Sequence, residues 1–191
     1  MNKNIIIILI IVSGIIYSCA PDQFILNQRK REIINGLIIS NIDSVEVIGD
    51  NAIQLYGGGH VAMRRSHMTQ ILADFTVKIL QGDGLRFAIR SVSDNFENHP
   101  AIFFDYTIKG SKVFEKGKFE TIIDSVKAKV NDIKRIKIMN YGKNLFITVD
   151  CDTIFNGRTE LPATEYILIQ ALKSTNVQIS GIDINKSDEE N

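Results

Sequence analysis

The chain has 191 residues, with 22 Lys and Arg balanced by 22 Asp and Glu, so its formal net charge is zero. Without a basic excess it lacks the electrostatic field that attracts proteins to nucleic acid, and we expect no nucleic-acid partner. There are two Cys and no Trp, so stability depends on burying aliphatic side chains, ten Phe and five Tyr in the core of one domain.

The N-terminal residues combine a charged start with an apolar run. Residues 1–3 contain a lysine, residues 5–16 are apolar apart from one Ser and one Gly, and Tyr17-Ser18 precedes Cys19. The apolar run is short for a bilayer span, which takes about 20 residues. The segment resembles a bacterial lipoprotein signal peptide. The resemblance implies that residues 1–18 are removed and that Cys19 carries a lipid. It also implies that the protein is anchored at the bacterial cell envelope, in the outer membrane. The alternative is a plain transmembrane anchor with an incidental cysteine.

The regions that flank the domain are polar. Residues 19–36 end near the basic triplet Arg29-Lys30-Arg31 and predict a lipidated tether, which is either a solvated linker or a stretch that touches anionic headgroups. Residues 186–191 are polar and acidic, which predicts a disordered tail. The sandwich domain is therefore expected to span residues 37–185.

Between those ends, apolar and polar residues alternate with period two, and turn signals recur at short intervals. This pattern predicts an all-β, two-sheet antiparallel jelly-roll sandwich with at most one short helix. Residues 119–130 fit either that helix or a strand followed by a loop, and Asn156-Gly157 is a hairpin signal. The predicted strands are residues 38–48, 52–56, 60–64, 74–80, 85–92, 101–108, 112–114, 133–139, 145–150, 166–172 and 177–184.

Three segments carry a family resemblance. Residues 144–155 resemble a strand that enters an Asp-centred turn and returns, residues 74–90 resemble a pair of strands in a curved sheet, and residues 177–184 resemble a closing strand. Together they are similar to concanavalin A-like lectin and glucanase domains. The order of the pieces is closest to laminin G-like modules and to the 3-keto-disaccharide hydrolase family. The resemblance implies a jelly roll with one concave sheet and ligands on that face or on its rim loops.

Alternation along two strands predicts which side chains face outwards. Arg90 lies on the outward set of one strand, while Phe103 and Asp105 lie on the outward set of another. A guanidinium, a carboxylate and an exposed ring suit sugar recognition, so these three residues are candidate ligand-binding residues. The alternative is a cross-strand ion pair between Arg90 and Asp105 on a solvated face. The outward sets are Arg86, Ala88 and Arg90, and Phe103, Asp105 and Thr107, whereas Phe104, Tyr106 and Ile108 are assigned to the core.

Catalytic residues are harder to assign. Glycoside hydrolysis needs two carboxylates at a defined separation, and the E-x-D-x-x-E pattern of the laminarinase-like branch is absent. Asp150 and Asp152 share a strand face but suit a turn. Asp94, Glu97 and His99 cluster in one loop and are further candidates for a ligand-binding or acid–base role. We expect no metal site and no cofactor.

Three functions follow from these observations. The first is a lipid-anchored envelope module that binds a glycan or another envelope protein. The second is a sugar-active hydrolase that resembles the 3-keto-disaccharide hydrolase family. The third is a structural envelope lipoprotein. The missing carboxylate pair favours binding over catalysis.

Overall fold

The computed structural model describes residues 37–39, 44–64, 70–93, 96, 99–162 and 166–185, with the backbone alone at 37–39, 64, 70–71 and 184–185. The predicted signal peptide, Cys19, the tether and the tail lie outside the described residues, as do Asp94 and Glu97. The described residues form fourteen β-strands and no α-helix, which confirms the all-β prediction. Consequently, no described segment is a helix with the length and apolarity needed to cross a membrane.

The strands fall into two antiparallel seven-stranded sheets. We call the sheet with strand order β1-β4-β13-β6-β7-β8-β9 the front sheet, and the sheet with order β12-β11-β10-β5-β14-β3-β2 the back sheet. Sequential strands are often separated in space, which is the connectivity expected of a jelly roll. The strands are β1 (Leu37–Ile39), β2 (Val45–Gly49), β3 (Ala52–Tyr56), β4 (His60–Arg64), β5 (Gln70–Gln81), β6 (Gly84–Ser91), β7 (Ile102–Thr107), β8 (Gly110–Glu115), β9 (Phe119–Ile123), β10 (Ile133–Tyr141), β11 (Asn144–Val149), β12 (Asp152–Arg158), β13 (Tyr166–Ala171) and β14 (Asn176–Asn185).

Apolar side chains from both sheets form the core between them. The Phe87 ring of β6 has its centroid 5.6 Å from that of Phe75 in the back sheet and 5.7 Å from that of Phe104 on neighbouring β7. All three residues are fully buried. Burying a side chain of this size contributes roughly 1.5–3 kcal/mol. The alternation that predicted the fold therefore corresponds to one aromatic and aliphatic layer.

The segment that fitted either a helix or a strand is a strand. Residues 119–123 pair with β8 as β9, and residues 124–132 follow without helix. The Phe119 ring stacks on Phe155 of β12, with centroids 6.2 Å apart, so the edge strands of the two sheets meet there. Packing across this side of the sandwich explains why the strand alternative is adopted.

The hairpin prediction at Asn156-Gly157 is wrong. Both residues lie within β12, which pairs with β11, and the turn between these strands lies at Asp150 and Cys151. A Cβ atom at Gly157 would meet the Phe155 ring at 2.6 Å. The glycine therefore makes room for an aromatic ring rather than for a turn.

Candidate functional site

The outer surface of the front sheet, which we call the front face, carries rows of side chains from successive strands. Direct register pairs join Gln170 to Arg86, Arg86 to Asp105, Asp105 to Lys112, and Lys112 to Ile122. Directly paired residues point to the same side of a sheet. These five side chains therefore form one row across β13, β6, β7, β8 and β9.

An aromatic row runs beside the first. Phe103 of β7 is paired with Phe114 of β8, and their rings stack with centroids 5.1 Å apart. Glu120 of β9 continues this row, because it is paired with Phe114. The front face therefore presents an ionic row next to an aromatic one.

Arg86 and Asp105 form the central ion pair of the front face. Arg86 Nε and Nη2 donate to the two carboxylate oxygens of Asp105 at 2.5 and 2.7 Å. The Arg86 side chain is 30% exposed and that of Asp105 is 7% exposed. Hydrogen bonding to Asp105 raises the pKa of Arg86, outweighing the opposing effect of burial. The Arg86–Asp105 ion pair is therefore fixed in position by two hydrogen bonds, and part of the Arg86 guanidinium is open to solvent.

The same guanidinium lies against the aromatic row. Its central carbon is 5.6 Å from the Phe103 ring centroid and 5.4 Å from that of Phe114. Lys112 Nζ is 4.6 Å from the Phe114 centroid and 3.7 Å from a carboxylate oxygen of Glu120. Cations held near ring faces are stabilised by the ring quadrupole. These contacts give the exposed cations defined positions.

A groove of about 240 Å³ opens beside this ion pair. Its lining includes the carboxylate-bearing side chains of Asp105, Glu120 and Asp124, the Lys112 ammonium and the apolar Ile122 side chain. Ile122 is 65% exposed, so it offers apolar surface to a partner molecule. Acceptors, donors and apolar area converging on one concavity are typical of small-ligand sites. The remaining lining residues are Thr107, Lys109, Gly110 and Ser111.

Phe103 lies on the outward face of β7, as predicted, but the prediction that its ring is exposed is wrong. Its side chain points to the front face, yet the residue is only 3% exposed. Phe96, Phe114 and Tyr166 pack against the small cluster that contains it. The half-buried Phe114, which sequence reasoning did not select, is the more accessible ring of the stacked pair.

The predicted placement of Arg90 on the outer face, paired with Asp105, is wrong. Arg90 has φ 58° and lies at an irregularity where β6 and β13 shift register between Tyr166 and Leu168. A bulge of this kind interrupts alternation and redirects a side chain. Arg90 is therefore 3% exposed, and the partner of Asp105 is Arg86.

The buried Arg90 guanidinium links the two sheets. Nε and Nη2 donate to Asn140 Oδ1 of β10 at 3.1 and 2.8 Å, and further bonds reach the carbonyl oxygens of Leu161 and Gly142. Burial lowers the pKa of Arg90 from its ordinary value, but an arginine remains protonated at neutral pH. The role of Arg90 is therefore structural.

The prediction that Ile108 lies in the core is wrong. Ile108 is 38% exposed and lies in the turn after β7, where the alternation of the strand has ended.

His99 lies in a second concavity of about 310 Å³, which we call the rim cavity. The cavity is also lined by Glu115, Lys116 and Lys118, and its apolar contributors are Pro100, Ala101 and Leu161. Glu115 is buried, and its carboxylate lies 2.5 Å from Lys118 Nζ. Of the three loop candidates Asp94, Glu97 and His99, only His99 is among the described residues. It shares the rim cavity with the charged side chains of Glu115, Lys116 and Lys118.

The Asp-centred turn is structural, as its sequence suggested. Asp150 has φ 56°, accepts a hydrogen bond from Lys134 Nζ at 2.8 Å, and accepts another from the Arg135 backbone N–H at 3.1 Å. These contacts, led by Lys134, lower the pKa of Asp150. Within the described part of the chain, His, Cys, Asp and Glu side chains form no group that could hold a metal ion.

No protein-family model matches this sequence, and no curated protein matches it either. The fold does match solved structures. The carbohydrate-binding module CBM66 from Bacillus subtilis superposes with a TM-score of 0.60 at 14% identity, covering 80% of this chain and 98% of that one. The fold is a two-sheet antiparallel jelly roll.

Two other solved structures illustrate the breadth of this jelly roll. A β-glucanase from Bacillus licheniformis has a TM-score of 0.58 at 10% identity, covering 78% of this chain and 84% of that one. A human galectin-16 variant has a TM-score of 0.54 at 10% identity, covering 66% of this chain and 94% of that one. At these identities the likeness concerns the fold, since one fold carries binding modules and enzymes alike.

Proposed function

We propose that this protein is a carbohydrate-binding module, anchored at the bacterial cell envelope through a lipid on Cys19. The observation that carries the proposal is the bidentate Arg86–Asp105 ion pair, which lies beside the groove and next to the half-buried Phe114 ring. Sugar hydroxyls bond well to such charged donors and acceptors, and a sugar ring packs on an aromatic side chain. The carbohydrate-binding module among the structural neighbours supports this proposal at the level of fold.

Binding is favoured over hydrolysis by the state of the carboxylates in the groove. Both oxygens of Asp105 accept hydrogen bonds from Arg86, which orients the carboxylate for recognition rather than for nucleophilic attack. Glu120 lies 3.7 Å from Lys112. A glycoside hydrolase needs one carboxyl that gives a proton and a second that attacks or activates water. The β-glucanase among the structural neighbours keeps sugar hydrolysis as the second candidate function.

The test is a glycan array with the full chain purified in detergent, followed by calorimetry with the best glycan. Lys112→Ala and Glu120→Gln should each weaken binding by about tenfold, because each removes a charge-assisted bond. Lys78→Ala, on the outer surface of the back sheet, is the matched control and should bind normally.

Mass spectrometry of the glycan after incubation separates the candidate functions. Saturable binding without product supports the module. Product formation that Glu120→Gln abolishes would replace it with the hydrolase. Equal affinities of the two front-face variants and Lys78→Ala would show that the front face is not the binding surface.

A further inference from the structure

The groove and the rim cavity lie toward opposite ends of one strand. The groove is lined by Gly110 and Lys112 near the start of β8, whereas the rim cavity is lined by Glu115 at its end and by Lys116 just beyond it. Lys116 lies four positions after Lys112, just beyond the end of β8, so the two residues are up to about 13 Å apart at the usual rise of a strand. A chain-like ligand is thus better matched to this surface than a single sugar.

The aromatic pair connects the two concavities. Phe114 lies between Lys112 and Lys116 in sequence, and its ring stacks on Phe103. Lys116 lines the rim cavity and also places its Nζ 5.7 Å from the Phe103 ring centroid. Lys112 is positioned in the same way over Phe114 at the groove end. The accessible ring between the concavities is therefore the half-buried Phe114, with a lysine on either side of it along the chain.

The groove and the rim cavity differ in the charge of their lining residues. The groove is lined by three carboxylates, on Asp105, Glu120 and Asp124, and by two lysines. The rim cavity is lined by Lys116 and Lys118 but by the single carboxylate of Glu115, which is bound to Lys118. Among the described residues, Lys116 makes no ion pair. The rim cavity therefore has a cation available for an anionic group.

We infer that the front face binds an acidic oligosaccharide lengthwise along β8, with a carboxylate-bearing sugar unit in the rim cavity. This inference rests on the proposed function and names its ligand class. Lys116 pairs with the sugar carboxylate, the next unit packs on the half-buried Phe114 ring, and the far end enters the groove. Glu115 opposes the sugar carboxylate and limits how tightly it binds.

Calorimetry with the full chain in detergent tests this inference, with a trisaccharide that carries one terminal glucuronate as the acidic probe and its methyl ester as the neutral one. The ester keeps the sugar backbone but removes the single charge, and neither probe brings a carboxylate into the acidic groove. We expect the acidic probe to bind about tenfold more tightly than the ester, from one charge-assisted contact. Raising the salt concentration should narrow this difference, because the rim cavity is open to solvent.

Variants with opposite expected signs sharpen the test. Lys116→Gln should remove most of the preference for the acidic probe. Glu115→Gln, which deletes the opposing charge, should increase the preference severalfold. The preference is measured in each variant as the ratio of the two affinities, so a loss of binding that the acidic probe and the ester share does not alter it. Lys173→Gln, an exposed lysine in the turn between β13 and β14, is the matched control and should keep the full preference.

Each result decides the inference. A preference that Lys116→Gln removes and Glu115→Gln enlarges supports it. Equal affinity for acid and ester, or a preference unchanged in Lys116→Gln, overturns it while leaving a glycan-binding front face intact. No binding of either probe also overturns it, and the glycan array then decides the proposed function separately.

Discussion

At the residue scale, Arg90 shows how one backbone conformation changes the role of a side chain. Regular alternation would place it on the front face, on the same side of β6 as Arg86. Its left-handed conformation instead turns the guanidinium inwards, where it bonds to Asn140 and to backbone carbonyls. The cost of that conformation, roughly 1–3 kcal/mol, is offset by charge-assisted hydrogen bonds in a water-poor setting. Arg90 therefore stabilises the sandwich.

Replacing Arg90 with Gln tests this structural role. The change removes the cross-sheet hydrogen bonds and leaves buried acceptors without their charged donor, so we expect the free energy of unfolding to fall by about 2–4 kcal/mol. Urea denaturation measures this quantity. Arg158→Gln, on the exposed edge strand β12, is the control and should change stability by less than about 0.5 kcal/mol.

The same Arg90 variant also tests its sequence-based assignment as a ligand-binding residue. Under conditions where Arg90→Gln stays folded, its glycan affinity should equal that of the parent protein. A folded variant with weakened binding and unchanged stability would contradict the structural role and favour direct contact with the ligand.

At the element scale, the turn between β5 and β6 is held by the turn between β13 and β14. The buried Thr175 hydroxyl accepts hydrogen bonds from the backbone N–H groups of Asp83 and Gly84 at 3.0 and 3.2 Å. The Leu172 N–H donates to the Gly84 carbonyl at 2.9 Å. This contact ties together strands of both sheets and fixes where β6 begins, and hence the register of Arg86.

Gly84→Ala tests the importance of that turn. Gly84 has φ 144°, and an added Cβ would collide with the Tyr106 carbonyl oxygen and lie 2.8 Å from the Thr107 Cα. Because backbone atoms cannot move aside easily, we expect a loss of roughly 3 kcal/mol or more in the free energy of unfolding. Urea denaturation is again the measurement.

Gly117→Ala is the matched control for Gly84→Ala. Gly117 has φ 76° but faces open space, so only the backbone strain of roughly 1–2 kcal/mol should appear. Similar losses in the two variants would mean that conformation alone, and not the close approach to β7, determines the requirement for Gly84.

At the scale of the whole molecule, the proposed lipid anchor decides where the binding face operates. A protein anchored to a membrane through Cys19 would meet glycans of the same surface at a raised local concentration. A single acyl chain gives only reversible attachment, whereas several chains anchor a protein stably. The anchor and the groove would therefore act together on envelope or surface glycans.

Cys19→Ala tests the anchor in the producing bacterium. We expect the parent protein to incorporate an alkyne-labelled fatty acid and to sediment with membranes, and the variant to lose the label. Cys151→Ala is the matched control, because Cys151 is exposed and its loss should leave labelling unchanged. Labelling that persists in Cys19→Ala, or that disappears in Cys151→Ala, would refute the anchor at Cys19.

Alternation in the sequence is enough to predict the all-β class, most strand positions and the outward direction of Arg86, Phe103 and Asp105. These properties follow from alternation, which depends only on residues two apart. The sequence does not decide between a helix and a strand at residues 119–130, because the apolar spacing suits both. In the structure, residues 119–123 form a strand whose Phe119 stacks on Phe155 of the other sheet.

Which residues make up the candidate site depends on contacts between distant parts of the chain. The pairing of Asp105 with Arg86, the inward turn of Arg90 and the burial of Phe103 depend on strand register, a bulge and side chains from distant strands. Lys112 and Glu120 reach Phe114 and Asp105 only through those pairings. Register and bulges are set by contacts between residues far apart in the chain, and local alternation carries no information about them.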